Sequence, residues 1–209
     1  MKNILTKDEL AFFIKADYMM NRGYFKPSLI KRFVECFYPD YIMDYLVALR
    51  KFSYYINNRN IFNLPFYFYW KLKHRNLGIK LGFSIEPNVI GHGLSIPHYG
   101  TIVVGAPNEI GNYAVLHTCT VITGNGKTIG DALYLGTGAK ITPPIVIGNG
   151  VSVAANSVVC KDCHQDNVLL AGTPATYKNS REYWYSCDGD FYSDRVNKVE
   201  GLKLLKKQN

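Results

Sequence analysis

Apolar residues recur at every sixth position through the middle of this chain. Ile129, Leu135, Ile141, Ile147, Val153 and Val159 keep the step without a break, and Ile90–Ile96–Ile102 and Ile110–Leu116–Ile122 repeat it in shorter runs. Helices and ordinary strands place side chains on one face with periods near 3.6 and 2, so neither accounts for it. A period of six suits a parallel β-helix, whose short strands coil and whose coils stack. Three hexads close one triangular coil, so these runs supply four coils with the apolar residue of each hexad pointing inward. The jumps from Ile102 to Ile110 and from Ile122 to Ile129 exceed six. Extra residues are therefore expected at those two corners.

Before residue 79 the rhythm is helical. Thr6 with Glu9 forms a capping box that opens a helix running to Asn21, and Gly23 lies just beyond it. A second short helix fits Ser28 to Phe37, and Asp40 can cap a third that runs toward Ile56. Asn63, with Pro65 in the first turn, opens a fourth that ends near Gly78. That helix is crowded with Phe66, Tyr67, Phe68, Tyr69 and Trp70, then Lys71, Lys73, His74 and Arg75. Interfacial membrane helices combine rings and bases in this way. Here Trp70 and the tyrosines lie around the whole helix, which favours rings buried against the β-helix or a neighbouring subunit. Three regions follow: an α-helical N-terminal domain over 1–78, a β-helix over 79–176, and a tail over 177–209 that turns basic from Lys203 to Lys207. The sequence leaves open whether the tail packs on the coils or frays.

With 47% hydrophobic residues in 209, the chain has ample material for a core. The net charge of +8 fits plain solubility or attraction of an anionic ligand. No block of like charges and no nucleic-acid motif accompanies it, so no nucleic-acid partner is expected. Met1 to Asp8 offers no apolar stretch of signal-peptide length, and no run approaches the ~18 apolar residues of a membrane span. The expectation is a cytoplasmic protein, with peripheral association at the inner membrane face left open. Cys36, Cys119, Cys160, Cys163 and Cys187 then read as free thiols. Cys160–Lys161–Asp162–Cys163–His164 spells a haem-attachment string, but it follows directly on the in-phase Val159 and lacks an export signal, so it reads as a coil corner.

Histidine carries the candidate chemistry. His92 and His98 each stand two places after an inward residue, and His117 stands one place after Leu116. His98 and His117 belong to the second hexad of successive coils, where strands stack ~4.8 Å apart. Their rings can share a cleft. A histidine there can act as general base, three of them could bind zinc, and any of them can decorate a turn.

From Ile90 to Gly124 the chain closely resembles serine acetyltransferases and the related O-acetyltransferases of surface polysaccharides. The string Gly93–Leu94–Ser95–Ile96–Pro97–His98–Tyr99–Gly100–Thr101–Ile102–Val103–Val104 carries the likeness, with the family's catalytic base matching His98. Asn156–Ser157–Val158–Val159 and Leu170 to Ala175 resemble the last coil, so about half the chain is covered. The resemblance implies a mainly β fold, a left-handed parallel β-helix, assembled as a homotrimer with acetyl-CoA along a groove between subunits. Matching coils carries the cofactor contacts onto Gly124, Thr137 and Ala155, with Lys161 toward the CoA phosphates and Tyr134 where related sugar acetyltransferases often hold an aromatic. His117 is expected to position the acceptor or serve as a second base, and Glu86 and Tyr99 to touch the acceptor. No metal and no acyl-enzyme is expected, so Cys119 is idle.

Departures from the family bear on the acceptor. Pro97 replaces the aspartate that precedes the base, and the position of the orienting acid holds Phe83 or Ser84, with Glu86 nearby. The loop that carries a second substrate-gripping histidine and arginine is absent between Gly124 and Leu135. These changes favour a hydroxyl of a surface glycan, of capsule or O-antigen type, or its precursor. Serine is the alternative acceptor. A zinc enzyme like the γ-class carbonic anhydrases is an alternative of another class, although His92, His98 and His117 do not reproduce that ligand spacing.

Overall fold

The computed structural model describes residues 3–187 and 189–207, with side chains through Leu205. The basic tail expected from Lys203 to Lys207 therefore lies partly outside the described side chains.

Helix α1 (Lys7–Arg22) starts on the expected capping box: the Thr6 hydroxyl accepts from the Glu9 N–H at 3.1 Å, and Glu9 accepts from the Thr6 N–H at 3.1 Å. Ser28 caps α2 (Leu29–Phe37) and Asp40 caps α3 (Tyr41–Asn57). Helix α4 (Leu64–Leu81) runs past Gly78 and stops at Gly82, which adopts a left-handed conformation. Gly78 is not a terminator. A Cβ there would stand 2.6 Å from the Phe83 carbonyl oxygen, so glycine lets the last turn lie against the first strand.

Of the two expected covers for the rings of α4, the coils or a neighbouring subunit, the structure removes the coils. Only Gly78 and Leu81 of α4 are buried, and α2 has no buried residue. Tyr67 and Phe66 lie against Phe52 and Tyr55 of α3, while Phe68 and Tyr69 are exposed. A helix lined with rings on every side has more apolar surface than one neighbouring helix can cover.

The coils form three parallel sheets. The first stacks β1 (Phe83–Ile85), β2 (Ile102–Val104), β5 (Thr120–Ile122), β8 (Lys140–Ile141) and β11 (Val158–Val159). The second stacks β3 (Asn108–Ile110), β6 (Lys127–Ile129) and β9 (Val146–Ile147). The third stacks β4 (Val115–Leu116), β7 (Tyr134–Leu135), β10 (Ser152–Val153) and β12 (Val168–Gly172), and an antiparallel β13 (Ala175–Ser180) extends it. The inward residues form a continuous core with α3, as the six-residue period requires. The fold is a left-handed β-helix behind a helical N-terminal region.

One register differs from expectation. Val104, not Ile102, pairs with Ile122, and Ile122 with Ile141 in turn. Eight residues separate Ile96 from this inward position where later coils use six. The two extra residues belong to the Pro97–Thr101 corner, and the step from Val104 to Ile110 is an ordinary six. The extra residue between Ile122 and Ile129 falls where expected. The loop there is braced by Lys127, whose buried side chain donates to the Thr123 carbonyl at 2.7 Å and to Asn125.

The tail packs back. Trp184, in a short 3-10 turn (Trp184–Ser186), donates from Nε1 to the Tyr113 carbonyl at 2.9 Å, and α5 (Asp190–Lys207) lies against α1. Arg195 of α5 donates to the Met20 carbonyl at 2.7 Å.

Candidate active site

The widened corner of the first coil carries His98, exposed to solvent. Two backbone bonds hold the corner on the α4–β1 junction, from the Gly100 N–H to Leu81 and from the Ile102 N–H to Gly82, each at 3.0 Å. Gly100 takes a φ of 136°, and a Cβ there would meet Thr118 at 3.1 Å. The corner thus sits directly on the next one, which carries His117. The His117 carbonyl accepts from the Thr120 hydroxyl at 2.8 Å, and its ring stands 5.1 Å from that of Tyr134. The Arg181 guanidinium lies 5.9 Å from the other ring of this pair, Tyr134. Burial, and then the charge of His98, hold the His117 imidazole below the ordinary histidine range, which favours its neutral form at pH 7. Thr137 and Ala155 occupy the same corner in the following coils and are exposed. His98, His117, Tyr134, Thr137 and Ala155 therefore line one edge of the solenoid.

The remaining expected residues lie elsewhere. Gly124 and Lys161 occupy the next corner, across the three-residue width of the first sheet, about 10 Å away. Gly124 also has a purely structural reason to be glycine, because a Cβ would collide with the Ala106 carbonyl oxygen. Glu86 does not join His98. It follows β1, and its N–H donates to Val104 at 3.0 Å, which puts it at the Gly124 side of the sheet. Phe83 is buried 5.1 Å from the Tyr45 ring and Ser84 faces outward, so no carboxylate among these three stands in the base's corner. Tyr99 is exposed and lines an apolar groove of about 750 Å³ with Ile30, Val34, Tyr41 and Leu81. Neither His98 nor His117 lines it.

His92 lies on the third corner, buried between Phe12, Phe13 and Tyr113, and burial lowers its pKa to about 4. It cannot share a metal with His98 and His117. Among the described residues no group of three or more His, Cys, Asp or Glu could hold a metal ion. The haem-like string is a coil corner, in which Cys163 pairs with Ile147 and Asp162 accepts from the Val146 N–H at 2.8 Å. Lys127 and Arg181 carry no distinctive signal in the sequence, the one being a lysine two places before an inward isoleucine and the other an arginine beyond the last strand.

No family model matches the chain. Serine acetyltransferase from Helicobacter pylori (strain 26695) is 31% identical over 108 residues, 48% of this chain and 63% of that protein. Serine acetyltransferase from Mycobacterium tuberculosis is 34% identical over 104 residues, 46% of this chain and 45% of that protein. The chain thus spans 45% to 63% of the length of these curated relatives. The crystal structure of Neisseria gonorrhoeae serine acetyltransferase superimposes with a TM-score of 0.58 at 21% identity, covering 87% of this chain and 67% of that one. A serine acetyltransferase complex with CoA gives 0.55 at 22% identity, covering 81% and 67%. The structural likeness supports the fold. Over about half its length in sequence, and in its β-helix fold, the chain is similar to the serine acetyltransferases.

Proposed function

We propose that this protein moves an acetyl group from acetyl-CoA to a hydroxyl, with serine as the acceptor that the relatives' names support best. The observation that carries the reading is the stacking of the His98 corner on the His117 corner, in line with the exposed small residues Thr137 and Ala155. His98 takes the proton of the attacking hydroxyl, and the oxygen attacks the thioester carbonyl. The oxyanion then collapses, the C–S bond breaks, and the imidazolium returns its proton to the departing CoA thiolate. A positioned base of this kind contributes ~10²–10⁴-fold. His117, kept neutral, orients the acceptor or the base. A closed homotrimer with CoA between subunits is part of the reading, and the use of acetyl-CoA fits a cytoplasmic setting.

A glycan hydroxyl is the second reading. It finds no support among the relatives, and what favours it is narrower. Pro97, and Phe83 or Ser84, stand where the resemblance puts acids, and Glu86 lies across the sheet. The test is CoA release with serine and with a glycan panel, for wild type and His98→Ala. The substitution is expected to lower kcat by ~10²–10⁴-fold with folding intact. Turnover of glycans alone would replace serine, and an unchanged rate in His98→Ala would remove the base.

A further inference from the structure

Forty-one consecutive residues between Asp44 and Glu86 contain no acidic side chain but seven basic ones, Arg50, Lys51, Arg59, Lys71, Lys73, Arg75 and Lys80. Arg50 is buried against Asp17, Lys51 of α3 stands over the Trp70 ring, and the other five accompany α4 and its approach. Helix α4 has two apolar sides. One, with Tyr67, Trp70, His74 and Leu81, faces α3 and the first strand. The other is bare: Phe68, Leu72 and Ile79 recur at helical spacing beside Tyr69, with Leu72 and Ile79 exposed at 55% and 69%. Lys71 and Arg75 flank this stripe on one side, while Lys73 and Lys80, on the other, stand over the rings of Trp70 and Tyr41. Ile61 and Phe62, in the turn before the helix, are exposed at 79% and 85%.

We propose that this outer face of α4, with the Arg59–Phe62 turn, docks the protein on an anionic lipid surface. The stripe enters the boundary between headgroups and acyl chains while the flanking bases reach up to phosphates, as in an amphipathic helix lying in the membrane plane. Among the described residues no helix is long and apolar enough to cross a membrane, so the contact is with the surface. Charge selects the occupant. A symmetric contact with a second copy would set this all-basic face against itself, which like-charge repulsion opposes. A nucleic acid would neutralise the bases but leave the apolar stripe uncovered. The inference is independent of the acetyl-transfer reading, because its readout is binding.

The experiment is vesicle flotation of the full chain with phosphatidylcholine alone and with one third phosphatidylglycerol. Binding is expected only with the anionic vesicles and is expected to weaken severalfold at high salt. Each basic residue near such a surface strengthens binding about fivefold. Lys71→Ala/Arg75→Ala is then expected to weaken it about twenty-five-fold, and Leu72→Ser/Ile79→Ser to abolish it. All four substituted residues are exposed, so circular dichroism should stay that of the wild type in both variants. Absence of binding to anionic vesicles, or binding unchanged in either variant, overturns the proposal. So does an assembly in sedimentation that Leu72→Ser/Ile79→Ser dissociates, since the face would then belong to a second copy.

Discussion

At its first coil the β-helix presents a free backbone edge to the side chains of α1 and α3, whereas at its last coil it presents that edge to another strand. Asp17 accepts from the Leu94 N–H at 3.0 Å and pairs with Arg50 at 2.7 Å, and Arg50 donates to the carbonyls of Ile90 and Gly91. Asn21 spans the same edge, donating to Leu94 and accepting from the Ile96 N–H, and the Tyr45 hydroxyl accepts from the Ile85 N–H. At the far end β13 pairs with β12 through backbone groups, and the Ser157 hydroxyl accepts from the Gly172 N–H at 3.0 Å. Unpaired backbone edges are costly or sticky, so both ends must be closed. Closure by side chains concentrates charge and burial at one end, and this makes that end the more vulnerable.

The largest expected effect is Asp17→Ala, which leaves the Arg50 charge buried without its partner. Removing one member of such a pair costs about 3–5 kcal/mol, and urea unfolding would read it. Acid comes next. His92 and His74 are held near pKa 4 by burial, both beside the helices that close the first coil. The unfolded chain protonates these rings below pH 6.5 and the folded chain does not, so stability is complete above that pH and declines as pH falls toward 4. A fully expressed shift of this size corresponds to about 3 kcal/mol for the more buried ring, His92. After correction for the slower intrinsic exchange in acid, amide exchange at pH 5 should therefore quicken in α1, α4 and α5 before it quickens in β10 and β12. Equal acceleration at both ends would erase the contrast. The smallest effect is Ser157→Ala, about 1 kcal/mol, because a single hydroxyl supports an end otherwise closed by backbone pairing. A loss as large as that of Asp17→Ala would show that the two ends are closed alike.

The candidate site was legible to the extent that it follows from coil geometry. His98 and His117 share a corner because Ile96 and Leu116 share a column, and that column is written in the period of six. Glu86 was misplaced because its distance from His98 along the chain says nothing about which edge of a three-residue strand it occupies. The sequence places the two extra residues of the His98 corner one corner too late because Ile102 and Val104 are both apolar and both buried. Only the hydrogen-bonded register separates them.

The sequence by itself determined the stacking axis, the inward residues from Ile110 onward and the N-caps Thr6 and Asp40, since each depends on short-range periodicity or on contacts three to four residues apart. It also contained the acid-free stretch from Tyr45 to Ile85. What it did not determine was which rings of α4 would be covered, where the tail would go, and how the first coil would be closed. Those are decided by partners far apart in the chain: Arg50 with Ile90, Arg195 with Met20, Trp184 with Tyr113. A long-range pairing leaves no period in the sequence. It exists only once packing has brought its two members together.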